Sequence, residues 1–104
     1  MTEFGLTEAH RSIISAIFAQ YPQIKTVVVY GSRARGNYRP GSDIDMTIMV
    51  GEELSTDLLL KLINDFDDSQ LPFFVDLSIC SQLTEPALLD HIQQVGRVIY
   101  QREE

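Results

Sequence analysis

The residues best placed to do chemistry lie between Val27 and Val50, in the stretch VVVYGSRARGNYRPGSDIDMTIMV. Asp43 and Asp45 open a run in which Ile44, Met46, Ile48 and Val50 supply an apolar residue at every second position. Side chains at i and i+2 of a strand share a face. The pattern therefore aims both carboxylates one way and the apolar set into a core. Two adjacent carboxylates repel unless a cation stands between them. An all-oxygen pair suits Mg²⁺, which takes one or two carboxylates and fills its shell with water and phosphate oxygens. Upstream, the β-branched run Val27-Val28-Val29 stops at Gly31-Ser32. Backbone N–H groups and a hydroxyl just past a strand end offer phosphate a place to rest. A phosphate cradle and a metal site at facing strand ends form a layout for phosphoryl or nucleotidyl transfer.

The rest of the chain has to position these groups. Thr7 caps a first helix with Glu8 in its first turn, and Ile13, Ile14, Ile17, Phe18 and Tyr21 follow at helical spacing until Pro22. His10 falls near the exposed side of this helix and is given no role. A strand covers 26–30. The connection 33–42, with Gly36, Pro40 and Gly41, is a loop, with one helical turn opening at Ser32. It is too short for a parallel crossover, so the strand 43–50 returns antiparallel. Ser55 or Thr56 caps a second helix whose stripe is Leu59, Leu62, Ile63 and Phe66. In the strand 73–80, Phe73, Val75, Leu77 and Ile79 alternate with Phe74, Asp76, Ser78 and Cys80. A right-handed crossover makes it parallel to 43–50 and brings Asp76 beside Asp43 and Asp45. Thr84-Glu85-Pro86 starts a third helix with Leu88, Leu89, Ile92 and Val95 inward, Gly96 stops it, and 98–100 closes the sheet. The expected architecture is α+β, one domain over 1–104, with a small mixed sheet and helices packed on one side.

Some features have blander readings. Asp65-x-Asp67 repeats the spacing of Asp43-x-Asp45, but on a helix i and i+2 do not share a face, which leaves a solvated surface pair. Gly31-x₄-Gly36 has the glycine spacing of a P-loop, yet Asn37-Tyr38 stands where Lys-Ser/Thr is required. A buried aspartate between Val75 and Leu77 is costly unless paired or on a metal, which favours a site role for Asp76, and an edge-of-sheet position is the blander alternative. Arg33, Arg35 and Arg39 either neutralise a phosphate chain or solvate the loop, and Arg33 is the candidate for nucleotide contact.

Composition narrows the class. Among 104 residues, 44% are hydrophobic and 22% charged, ordinary for a soluble globular domain. No apolar run approaches a membrane span, and the opening MTEFGLTEAHRS is too polar for a signal peptide. Cys80 is the single cysteine, which rules out an internal disulfide, fits a reducing cytoplasm, and points to buried packing. A net charge of −7 disfavours direct nucleic-acid binding and favours a basic protein partner.

Gly31-Ser32, ten intervening residues, Asp43-Ile44-Asp45 and a later strand aspartate, Asp76, resemble the nucleotidyltransferase superfamily that includes DNA polymerase β. The wording GSRARG…SDIDM is similar to its minimal branch, the MNT domains, many of which are encoded beside a HEPN-domain ribonuclease toxin and act as its antitoxin. The resemblance covers nearly the whole chain. It implies a polymerase β-like core in which Gly31 and Ser32 hold the nucleoside triphosphate. Asp43 and Asp45 would coordinate two Mg²⁺ ions, with Asp76 completing the set beside the attacking hydroxyl.

Larger relatives carry a second domain that clamps base and acceptor, so a partner would supply that wall here. The resemblance implies Mg²⁺-dependent transfer of AMP from ATP to a hydroxyl, a tyrosine, of a HEPN toxin in a hetero-oligomer. A non-catalytic antitoxin that masks its toxin is the alternative. Transfer to RNA or to a small antibiotic-like molecule is disfavoured by the lack of a basic tract and a substrate lobe.

Overall fold

Thr7 starts α1 (Glu8–Ala19) as expected: its hydroxyl accepts the His10 N–H at 3.1 Å. His10 also contributes, since its Nδ1 accepts the Thr7 N–H at 3.1 Å and its ring stands edge-on to Phe73. The structure, a computed structural model, describes residues 3–49 and 55–102. After α1 come β1 (Thr26–Tyr30), α2 (Gly31–Arg35), β2 (Ile44–Met49), α3 (Thr56–Asp67), β3 (Val75–Ile79), a 3₁₀ turn (Cys80–Gln82), α4 (Pro86–Val95) and β4 (Arg97–Gln101). The expected strand end at Val50 lies outside the described residues.

The sheet order is β3-β2-β1-β4. β1 pairs antiparallel with β2 and with β4, while β2 and β3 run parallel, as the short loop and the helical crossover require. On β2 the alternation separates its two faces as expected. Ile44, Met46 and Ile48 enter a core with Phe18, Leu62 and Leu77, and Asp45 faces the other way. Ser55 caps α3 through the Leu58 N–H. The buried stripe is Leu58, Leu62 and Phe66, with Leu59 and Ile63 flanking it, one position off the expected phase at its start.

Three features differ from the sequence expectation. Strand β3 is shorter than 73–80 because Phe73 turns in against His10 and Arg33, and Cys80, half-buried, begins the 3₁₀ turn. Glu85, not Thr84, occupies the cap position of α4, ahead of Pro86 at the first turn. The helices also do not all lie on one side. α1 and α3 cover the face carrying Val27 and Val29, whereas Ile92 of α4 packs on Val28 and Tyr30 of the opposite face. A strand with four successive apolar residues has two faces to cover, and α4 covers the second. Gly96 permits this closeness, because a Cβ there would collide with the Ile92 carbonyl and a Val28 methyl.

On the α4 face, Thr47 of β2 is fully buried and linked to β3: Ser78 Oγ donates to Thr47 Oγ1 at 2.9 Å. This pair locks the parallel register that sets Asp45 beside Asp76. Thr47→Val should lower stability by about 1 kcal/mol, a fall in melting temperature of about 4–8 °C. Adding Ser78→Ala should cost less than its single effect. Additive losses in thermal melts would show that the two hydroxyls act independently.

Candidate active site

The register builds a row across three strands. Tyr30 at the end of β1 pairs with Asp45 on β2, and Asp45 pairs with Asp76 on β3. Asp43 stands one residue before β2, exposed, two positions from Asp45 and on its face. Asp76 is exposed and Asp45 half-buried. The structure thus brings together the three aspartates singled out by sequence, with Gly31 at the adjoining strand end.

Asp45 is the electrostatic centre of the row. Burial, then the carboxylates of Asp76 and Asp43, push its pKa above the usual value of 3.8, while His91 and Arg33 pull it back. Gly31 meets it closely: φ is +73°, and a Cβ would collide with the Asp45 carboxylate, so no other residue fits that turn without displacing the site. The donors are all hard oxygens. Among the described residues, no group of three or more His, Cys, Asp or Glu is placed so that it could hold a metal ion by itself. A shell shared with water and substrate phosphate does not require one.

Two residues depart from expectation. Arg33 is 3% exposed, and its guanidinium is engaged with the protein itself. It donates to the carbonyls of Phe4 at 2.9 Å, of Ser42 at 2.6 and 3.1 Å, and of Asp43 at 3.3 Å, and it lies against the rings of Tyr38 and Phe73. Burial lowers its pKa, and the Tyr38 hydroxyl, Asp43 and Asp45 oppose that shift. Arg33 therefore anchors the loop leading into Asp43 instead of presenting its donors to a nucleotide. The second departure is His91 of α4, whose Nε2 accepts the Gly31 N–H at 3.1 Å while its ring stands edge-on to Tyr30. The first backbone donor of the expected cradle is thus already engaged. Its position, three residues after Leu88 and four before Val95, places His91 on the inward face of α4, which is the signal that would have found it. Ser32 is half-buried in α2 beside Gly31. Asp65, of the control pair, takes a hydrogen bond from the Tyr21 hydroxyl away from this row, so it is not merely solvated.

Two outcomes follow from this geometry. Arg33→Lys keeps the charge but loses the planar fork. It should cost about 2–3 kcal/mol, lowering the melting temperature by at least about 8 °C, and an unchanged melt would refute the anchoring role. For Asp45, the folded state holds the carboxyl proton more tightly than the unfolded chain does. Stability therefore falls as pH rises from 3.8 through the raised folded value, and the full loss is reached above it. Asp45→Asn removes this loss. Because the group is half-exposed and screened by solvent, the metal-free protein near pH 7 should gain only about 0.2–1 kcal/mol. A lower melting temperature for Asp45→Asn would contradict the repulsion.

The family model described as Polymerase beta, Nucleotidyltransferase matches residues 13–104. The chain is 31% identical over 106 aligned positions to a probable protein adenylyltransferase, MntA, of Haemophilus influenzae, covering 99% of this chain and 92% of that protein. Its fold is similar to that in a crystal structure of a toxin–antitoxin with AMP-PNP, with a TM-score of 0.71 and 19% identity, over 89% of this chain and 74% of that one. A structure of tri-AMPylated Shewanella oneidensis HEPN toxin in complex with MNT antitoxin gives a TM-score of 0.61 and 17% identity, over 93% of this chain and 74% of that one. The matched span takes in Gly31, Ser32, Asp43, Asp45 and Asp76, and the chain belongs to the polymerase beta nucleotidyltransferase family.

Proposed function

We propose that this chain, as one catalytic unit over 1–104, transfers AMP from ATP to a hydroxyl of a partner protein in the cytoplasm. The proposed acceptor is a tyrosine of a HEPN-domain toxin, and the modification neutralises that toxin. The observation that carries the reading is the Tyr30–Asp45–Asp76 register, with Asp43 on the same face and Gly31-Ser32 at its end. The Haemophilus relative, named a probable protein adenylyltransferase, and the AMPylated toxin in a structural neighbour support it. A net charge of −7 favours a basic protein partner over a nucleic acid.

Asp43, Asp45 and Asp76 would hold two Mg²⁺ ions, which when bound supply Lewis-acid neutralisation of the phosphate oxygens. The mutual repulsion felt at Asp45 fits such cations. Gly31 and Ser32 hold the β- and γ-phosphates through N–H groups and a hydroxyl, which requires His91 to release the Gly31 N–H. The acceptor oxygen attacks the α-phosphorus and forms the new P–O bond as the bond to pyrophosphate breaks. Asp76 lies on the side away from β1 and takes the hydroxyl proton.

Asp43→Asn and Asp45→Asn should each reduce transfer about a thousandfold. Metal-stabilised charge is worth several kcal/mol, and each ~1.4 kcal/mol is about tenfold in rate. Intact mass of the co-purified partner reads the outcome directly. AMP-sized steps present with wild type and absent with Asp43→Ala, Asp45→Ala establish transfer. A partner of unchanged mass, bound equally by both, would make this a masking antitoxin.

A further inference from the structure

Phe73 and Phe74 are adjacent but have opposite surroundings. Phe73 packs against His10 and the Arg33 guanidinium. Phe74 is 70% exposed, the most exposed large apolar side chain among the described residues. Its backbone is well placed: the Phe74 carbonyl accepts the Ile44 N–H at 2.9 Å, extending the β2–β3 ladder by one step. That step sets Phe74 level with Asp43. Continuing the alternation of β3 one residue ahead of Val75 places Phe74 on the face of Asp76.

The direction of the reaction gives this placement meaning. Across the sheet the order is β3, β2, β1, and the site follows it: Asp76, then Asp43 and Asp45, then Gly31-Ser32. In phosphoryl transfer the attacking and leaving oxygens lie roughly in line. With pyrophosphate departing toward Gly31-Ser32, the acceptor must arrive from the opposite side, over β3. Strand β3 is an edge, so among the described residues no further strand bars that approach. The exposed Phe74 ring stands on it.

We infer that Phe74 is a docking platform for the acceptor. An apolar side chain of the partner protein, next to its acceptor hydroxyl, packs on this ring and holds the hydroxyl over Asp76. The inference rests on the nucleotidyl-transfer reading and adds to it the route and the recognition element of the acceptor. A single exposed apolar residue is ordinary on a protein surface. Phe74 is distinguished by its register with Asp43 and its shared face with Asp76.

The test measures AMP incorporation from ATP into the HEPN-domain acceptor, together with binding of AMP-PNP. Phe74→Ala leaves the fold intact, since the ring is mostly in water, and a thermal melt checks this. The expected result is a tenfold or greater rise in KM for the acceptor protein, kcat within twofold, unchanged AMP-PNP affinity, and recovery by Phe74→Leu. An unchanged acceptor KM, with wild type active, overturns the inference alone. Weakened AMP-PNP binding also overturns it, by giving the ring to the nucleobase. No incorporation by wild type overturns the transfer reading and the inference with it.

Discussion

The candidate site depends on a buried positive charge whose donors are engaged by the protein itself. Arg33 leaves α2, passes between the rings of Tyr38 and Phe73, and ends on the carbonyls of Phe4, Ser42 and Asp43. Four separated segments are tied by one guanidinium: the N-terminal turn, α2, the loop into β2 and the approach to β3. Its five fixed donors suit that task, and the aromatic faces replace part of the hydration lost on burial. Together with the Arg39–Ser42 turn and the Ile44 N–H on the Phe74 carbonyl, this anchor fixes the residues just ahead of β2.

The anchor also shapes the electrostatics. Asp45 carries the repulsion of Asp76 and Asp43, relieved in part by His91 and Arg33. A fold selected for stability alone would not set carboxylates at register positions on adjacent strands, where like charges oppose each other. The strain is localised on a ladder held by the Thr47–Ser78 hydroxyl pair and by a core that includes Ile44, Met46 and Ile48. The candidate site thus spans the central strands β1 and β2 and the edge strand β3, and the repulsion is spread over them.

How much of this was legible in the sequence follows from the range of each interaction. Period-2 alternation named the faces of β2 and β3, and the short loop and the crossover gave their pairing. The placement of Asp45 beside Asp76, with Gly31 at the adjoining strand end, was therefore legible. The burial of Arg33 was not legible because two of its partners, Phe4 and Phe73, come from distant segments with no shared periodicity. His91 was missed for a related reason: its meaning depends on α4 crossing to the second face, which requires knowing that Val28 and Tyr30 need cover. Tyr21 and Asp65, 44 positions apart, meet through a hydrogen bond that no local pattern announces. Local rules recovered the layout, and side-chain contacts between remote segments decided the roles.

The open edge at β3 has a consequence for how copies of the molecule behave in crowded solution. An unpaired strand edge invites another strand, and proteins commonly guard such edges with charge. Here the charge on β3 is Asp76, a member of the candidate site, in a chain of net charge −7. Two copies meeting edge to edge would bring their Asp76 side chains toward one another in strongly acidic surroundings. The same carboxylate thus belongs to the candidate site and disfavours edge-to-edge pairing of two copies.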